Sequence, residues 1–364
     1  MKFRSTPDMV IFVITLIILA IGIIMVYSSS AVISLNKHGD IYYYLKRQLL
    51  FAFLGILAMY VTMNIDYWHW RKWAKVILLI SFILLIAVLI PGIGTLRNGA
   101  RSWLGVGAFS IQPSEFTKLA MIMFMADFLT KHQEKLKSFF KGFLPSLLIL
   151  GSAFALIMLQ PDLGTGTVLL GTIIIIIFVA GAKLSHLITL FSIGILGFIG
   201  LILAAPYRIQ RITSFLDPWK DPLGAGYQVI QSLYAIGPGG LFGLGLGMSR
   251  QKFYYIPEPQ TDFIFAILSE ELGFIGGGFV LLLFLILMWR GIRTAILAPD
   301  MFGSLLATGI IGMIIIQVII NISVVISLMP VTGITLPLIS YGGSSLTLTL
   351  TAIGILLNIS RFAR

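Results

Sequence analysis

The sequence contains no cysteine, four histidines and only 11% charged residues in a chain of 364. Without a thiol there is no disulfide framework, no zinc–thiolate site and no cysteine nucleophile. With histidine confined to positions 38, 69, 132 and 186, no histidine-based triad is evident either. Soluble domains carry about 25% charged residues, so charge this sparse excludes a water-soluble globule and any large soluble domain. No internal repeat of fixed period is found, which removes solenoid and collagen-like architectures.

What is abundant is apolar: 58% of residues are hydrophobic, and the mean hydropathy is +1.01. The expected fold class is all-α, a polytopic membrane protein of about ten transmembrane helices forming one domain over residues 1–364. Each span needs about 20 residues, and the apolar runs place them near 9–33, 46–64, 72–90, 114–130, 142–160, 164–182, 184–205, 263–289, 302–328 and 336–359. The first run is too long for the apolar core of a secretory signal, so it reads as a span rather than a cleaved leader.

The net charge of +11 would suggest nucleic acid in a soluble protein. Here cytoplasmic retention of Lys and Arg explains it, and no nucleic-acid partner is expected. Placing the N-terminus in the cytoplasm puts Arg71, Lys72, Lys75, Lys131, Lys135, Lys137, Arg290 and Arg293, among others, on the inner side, with both termini there too. Two outer segments then stand out: a moderate loop at 91–113, and a long one at about 206–262 that carries a glycine cluster at 237–247. Loops this long in a compact fold are functional or disordered.

Carboxylates are the remaining source of acid–base chemistry. Nine of them, Asp40, Glu115, Asp162, Asp217, Asp221, Glu258, Asp262, Glu270 and Glu271, fall outside or in the outer part of spans, so reacting groups would face outward. In the stretch PEPQTDFIFAILSEELGF (257–274), Thr261 or Asp262 could simply cap the following helix. Alternatively Asp262, at the boundary of water and membrane, could take a proton from a substrate held in the lipid. Ser269 lies near the same helical face, and Glu270 and Glu271 lie about 12 Å deeper, where ionisable groups are functional or paired. In QPSEFTKLAM (112–121) Glu115 occupies the first turn and Lys118 the next. Asp162 in LQPDLGTG is at a compatible depth, so a Lys118–Asp162 ion pair is expected. The glycine cluster lacks the strand and βαβ unit of a dinucleotide site, but its backbone N–H groups could meet an anion. Asn321 and Gln317 read as interhelical hydrogen-bonding groups.

Taken together, RNGARSWLGVGAFSIQPSEFTKLA, QPDLGTG, GYQVIQSLYAIGPGGLFGLGLG, PEPQTDFIFAILSEELGF and PVTGITLPLISYGGSS resemble the SEDS family (shape, elongation, division and sporulation). The sporulation branch is the nearest and the division branch next. The resemblance spans nearly the whole chain and implies a multi-pass protein of the bacterial cell membrane. It implies a peptidoglycan glycosyltransferase that polymerises lipid II into glycan strands beside a class B penicillin-binding protein transpeptidase. The family's essential acid matches Asp262, and its membrane-embedded pair matches Lys118 and Asp162. In that chemistry Asp262 would be the general base. Arg101, Arg208 and Arg211, with Lys118 if it is unpaired, would contact the diphosphate, and Glu115, Ser269, Glu270 and Glu271 would support the site. A divalent cation, Mg or Mn, could share the diphosphate role, although no oxygen ligand set is visible and no metal ligand is assigned. The rivals are a lipid II flippase or transporter, which needs access from both sides, and a non-catalytic scaffold for cell-wall synthesis.

Overall fold

A computed structural model describes residues 5–97, 100–105, 110–203, 215–224, 226–253 and 255–363. Its helices are α1 (Met9–His38), α2 (Tyr43–Asn64), α3 (Trp68–Leu89), α4 (Pro113–His132), α5 (Leu144–Met158), α6 (Leu163–Val179), α7 (Leu184–Leu203), α8 (Tyr227–Gly239), α9 (Ile264–Ile296), α10 (Met301–Val325) and α11 (Gly343–Ser360). The ten expected spans coincide with α1–α7 and α9–α11. Among the described residues seven helices, α5 being counted with the π turn Phe139–Phe143 before it, are long and apolar enough to cross a bilayer. Of the rest, α6 has only 17 residues, and α4 carries Glu115, Lys118 and Asp127.

Local signals explain the ends. The Asp8 carboxylate accepts the free N–H groups of Val10 and Ile11 at the start of α1, and Gly39, at φ 69°, closes its other end by donating to Leu35. Pro113 opens α4, where a missing N–H costs nothing. The segment expected as a plain loop at 91–113 instead contains an antiparallel hairpin, β1 (Gly94–Arg97) and β2 (Ala100–Leu104), with Gly94 opposite Leu104. The all-α expectation holds apart from this two-stranded element.

Helix α10 is the axis of the bundle, packed against α4, α6, α9 and α11. It can approach so closely because Gly309 presents no side chain; a Cβ there would press into Ile122 of α4 and Ile176 of α6. Small residues at helix contacts are the usual membrane solution, since burial from lipid gives little hydrophobic gain. Outward-facing Phe53, Leu79, Ile83 and Leu285 are exposed, as expected of a surface solvated by lipid.

Both termini lie at one end. Ser5 N–H donates to the Arg361 carbonyl at 3.0 Å, and Asp8 pairs with Arg290 at 2.6 Å. At the same end Asp127 receives Arg71 and Lys131, and Asp300 accepts both Tyr67 Oη and Trp68 Nε1 at 2.7 Å. This basic end is the cytoplasmic one by the charge rule. The opposite end holds a cavity.

Candidate active site

Three elements hold the main chain around Asp262. Asn321 Nδ2, on α10, donates to the Asp262 carbonyl at 2.8 Å and to the Ile334 carbonyl at 2.7 Å. Ser340 Oγ donates to Thr261 O at 2.6 Å, and Tyr341 N–H to Gln260 O at 2.8 Å. Gln48 of α2 in turn reaches the Ser340 carbonyl. Helix α9 starts at Ile264 with Phe263 in the cap position and no side-chain cap, so the capping role open to Thr261 or Asp262 in the sequence is not used. The Asp262 carboxyl is left to face the cavity.

That cavity measures about 890 Å³ and is walled by α2, α4, α6, the hairpin region and the 330–345 segment. Asp262, Glu258, Glu115, Lys118, Asp162 and Arg47 all line it, as do Tyr44, Gln317 and Tyr341. Among the described residues four carboxylates thus face two cations. Asp262 is half-buried, with part of its surface open to the cavity. Burial, with the Glu258 charge adding to it and Thr261 opposing, pushes its carboxyl up to about 6.

The expected Lys118–Asp162 ion pair is not formed. Lys118 Nζ binds Glu115 Oε1 at 2.8 Å, one turn away on the same helix. Asp162 has its own partners: Oδ1 accepts Thr165 N–H at 3.0 Å and so caps α6, while Oδ2 accepts Gln112 Nε2 at 2.9 Å and Ser114 Oγ at 3.2 Å. With these donors in place its charge is satisfied without the lysine. Both residues still line the same cavity.

The other expected residues are distributed differently. Arg101 sits half-buried on β2 and is not part of the cavity wall; Arg208 and Arg211 lie outside the described residues. Ser269 Oγ donates to Phe265 O within α9. Glu270 and Glu271 belong to a separate buried cluster, which makes them paired structural groups rather than cavity groups. Glu271 receives Lys252 at 3.1 Å and Ser28 Oγ at 2.7 Å, and Glu270 receives Ser249 Oγ and the Arg250 and Gln251 N–H groups.

Sequence reasoning did not single out Arg47, which lines the cavity. Its guanidinium lies 4.3 Å over the Tyr43 ring and makes no ion pair among the described residues. The Arg47–Tyr43 spacing of four on α2 is the signal that could have placed it. Gln260 Oε1, Gln317 Oε1 and Thr332 Oγ1 are buried along the wall with no partner among the described residues. Buried polar groups are ordinarily bonded, so this wall has unused capacity for a hydroxyl-rich ligand. Among the described residues no three His, Asp or Glu side chains converge as a metal-ligand set.

Comparison with known proteins bears on the same geometry. The profile of the FtsW, RodA and SpoVE family, described as "Cell cycle protein", matches residues 8–364. Stage V sporulation protein E of Bacillus subtilis (strain 168) is 64% identical over 361 residues, 99% of each chain. A probable peptidoglycan glycosyltransferase FtsW of Geobacter sp. (strain M18) is 45% identical over 353 residues, covering 97% of this chain and 96% of that one. Among solved structures, a chain from a peptidoglycan synthase complex, studied for how polymerisation and crosslinking are coordinated, superposes with a TM-score of 0.83 at 32% identity and 98% coverage of both chains. The rod shape determining protein RodA of Thermus thermophilus superposes at 0.70 with 28% identity, covering 98% of this chain and 97% of that one.

Proposed function

The chain belongs to the FtsW, RodA and SpoVE family, and from that premise we propose that it is a multi-pass bacterial membrane peptidoglycan glycosyltransferase. It polymerises lipid II at the outer face, with Asp262 as general base. The observation that carries this reading is a carboxylate spared from helix capping, aimed into a polar cavity and held near pKa 6 by burial. A base works best when its pKa lies close to the working pH, and at pH 7 about nine-tenths of such a group is ionised and ready to accept.

In the reaction the acceptor sugar oxygen bonds to the anomeric carbon of the donor. The bond from that carbon to the polyprenyl diphosphate breaks, and its electron pair leaves with the diphosphate. Asp262 takes the acceptor's hydroxyl proton. Direct displacement inverts the anomeric centre, because no protein nucleophile intervenes. Arg47 and Lys118 are the cations within the cavity wall, and they stabilise the departing diphosphate. Arg47 can offer a bidentate fork, whereas Lys118 acts as a point charge already shared with Glu115. Arg101 therefore yields its assigned role to Arg47. Asp162 orders the entrance to α6 through its cap. Gln260, Gln317 and Thr332 supply hydrogen bonds to sugar hydroxyls. The partner is a class B penicillin-binding protein that cross-links the strands, a reading supported by the synthase complex in which the similar chain is found.

The test is polymerisation by the purified protein in liposomes with lipid II and no other glycosyltransferase. Glycan strands should form, with an acid limb near pH 6 that moves to lower pH in Glu258→Gln, and Asp262→Asn should lower the rate more than about 100-fold. Translocation of lipid II without polymer would establish the flippase instead. Normal synthesis by folded Asp262→Asn would remove Asp262 as the base.

A further inference from the structure

Helix α9 is broken at Gly273, where φ is 68° and ψ −168°. A broken helix frees backbone groups, and inside hydrocarbon each must find a protein partner. They find it in the glycine cluster. Phe274 N–H donates to Gly240 O at 2.8 Å and Ile275 N–H to Leu241 O at 3.1 Å; Leu244 and Gly245 N–H groups donate to Glu270 O and Glu271 O at 2.9 and 3.0 Å. Gly243, at φ 81°, fits against the break because any Cβ would collide with the Glu271 carbonyl. Two of the N–H groups that the sequence offered to an anion, those of Leu244 and Gly245, are thus taken up by the helix, and that of Gly243 by the Gly239 carbonyl.

This pairing also fixes a depth. Arg290, in its ion pair with Asp8, marks the inner end of the span, and Ile275 lies fifteen residues earlier, ~22 Å along the helix axis. The hydrocarbon layer is ~30 Å thick, so Ile275, and Leu241 bonded to it, lie within it. Leu241 and Phe242 are nevertheless 62% and 80% exposed, beside Phe274 at 75% and Ile275 at 54%. They continue the exposed apolar row of Phe279, Leu282 and Leu285 on the lipid-facing side of α9. No charged residue occurs from 222 to 249.

We propose that residues 240–247 form a re-entrant segment whose Leu241 and Phe242 are embedded among the acyl chains of the outer leaflet. The described part of the long loop dips into the membrane at the glycine cluster and emerges at Arg250 before reaching Glu258 and Asp262. It is therefore tethered to the bilayer at the level of the α9 break, with the buried Lys252–Glu271 pair beneath it. The inference needs only the membrane-spanning character of α9 and is independent of the reaction proposed above.

Because the chain has no cysteine, single nitroxide labels can be placed at 242, 282 and 220 in the full-length protein in liposomes, and their collision rates measured with oxygen and with a water-soluble nickel chelate. The label at 242 should match that at 282, being accessible to oxygen and at least about tenfold less accessible to nickel than the label at exposed Lys220. A second label at 241 gives the same reading should Phe242→Cys fold poorly. Nickel accessibility at 242 equal to that at 220 would put the segment in water. Low accessibility to both reagents would mean that protein covers it. Either result overturns the proposal.

Discussion

Asp262→Asn should stabilise the protein at the pH where it abolishes activity. Folding raises the Asp262 pKa from 3.8 to about 6, so the protonated form is the one the fold favours. That favourable contribution is complete below about pH 4 and is lost as the pH rises through about 6. Above that, the ionised carboxylate is a cost. A gap of ~2 on the pKa scale corresponds to ~3 kcal/mol. Because part of the side chain opens onto a cavity that can admit water, this figure is a ceiling. Asparagine has the same shape and carries no charge, so it escapes the cost without disturbing the Asn321 bond, which is made to the main chain.

The assay is thermal unfolding of purified wild type and Asp262→Asn in the same detergent at several pH values. The variant should melt a few degrees higher at pH 8, and the difference should fall to about a third of that by pH ~4.5 and vanish below pH ~3.5. A variant that is less stable at pH 8, or a difference that does not change with pH, would refute the argument. It would mean that the carboxylate is solvated, or is stabilised by a partner that burial does not reveal. The base would then have no reason to be poised near neutrality.

Two further outcomes follow from the helix contacts. Lys118→Met and Glu115→Gln should each destabilise by ~3 kcal/mol, and the double variant by at least ~1 kcal/mol less than their sum; Lys118→Met with Asp162→Asn should be additive, and coupling in that second pair alone would restore the rejected ion pair. Gly273→Ala forces a left-handed backbone on alanine and a collision with Gly243, so it should lower the melting temperature by the equivalent of ~1–3 kcal/mol. Gly278→Ala, with nothing within 4 Å of the new carbon, should not, and equal stability of the two variants would show that the break in α9 is dispensable.

The spans were legible because hydrocarbon imposes a length on apolar runs that no other environment does; the ends were only partly so, since α1 continues past its apolar stretch, expected to stop near 33, until Gly39 closes it. The pairing of charges was less so. Depth alone made Asp162 a fit partner for Lys118, but Glu115 reaches the lysine from within the same helix, while Asp162 is drawn off by Thr165, Gln112 and Ser114. The Asp-before-helix pattern of PDLGTG already held that second fact. The fate of Asp262 could not be read locally: whether it caps α9 depends on Asn321, 59 residues away, and on Ser340 and Tyr341 beyond it. Nor could the break at Gly273 be chosen among the glycines of GFIGGG, since what selects it is the loop lying across it.

The distribution of polar contacts bears on how such a cavity can work. A transporter must open toward each side in turn. At the cytoplasmic end this bundle is joined by Asp8 to Arg290, by Arg71 to Asp127, by Tyr67 and Trp68 to Asp300, and by Asn358 to the Tyr67 N–H. These contacts tie α1 to α9, α3 to α4, and the start of α3 to both the entrance of α10 and the end of α11. Opening that end would break several charged or charge-assisted contacts together, each leaving a partly buried group unpaired. At the outer end the cavity is bounded by loops and the hairpin, and its unpaired polar atoms, Gln260 Oε1, Gln317 Oε1 and Thr332 Oγ1, all lie on its wall. A site that is closed inward and open outward suits a lipid-linked sugar that arrives and leaves on one side, and the base proposed at Asp262 needs no access from the other.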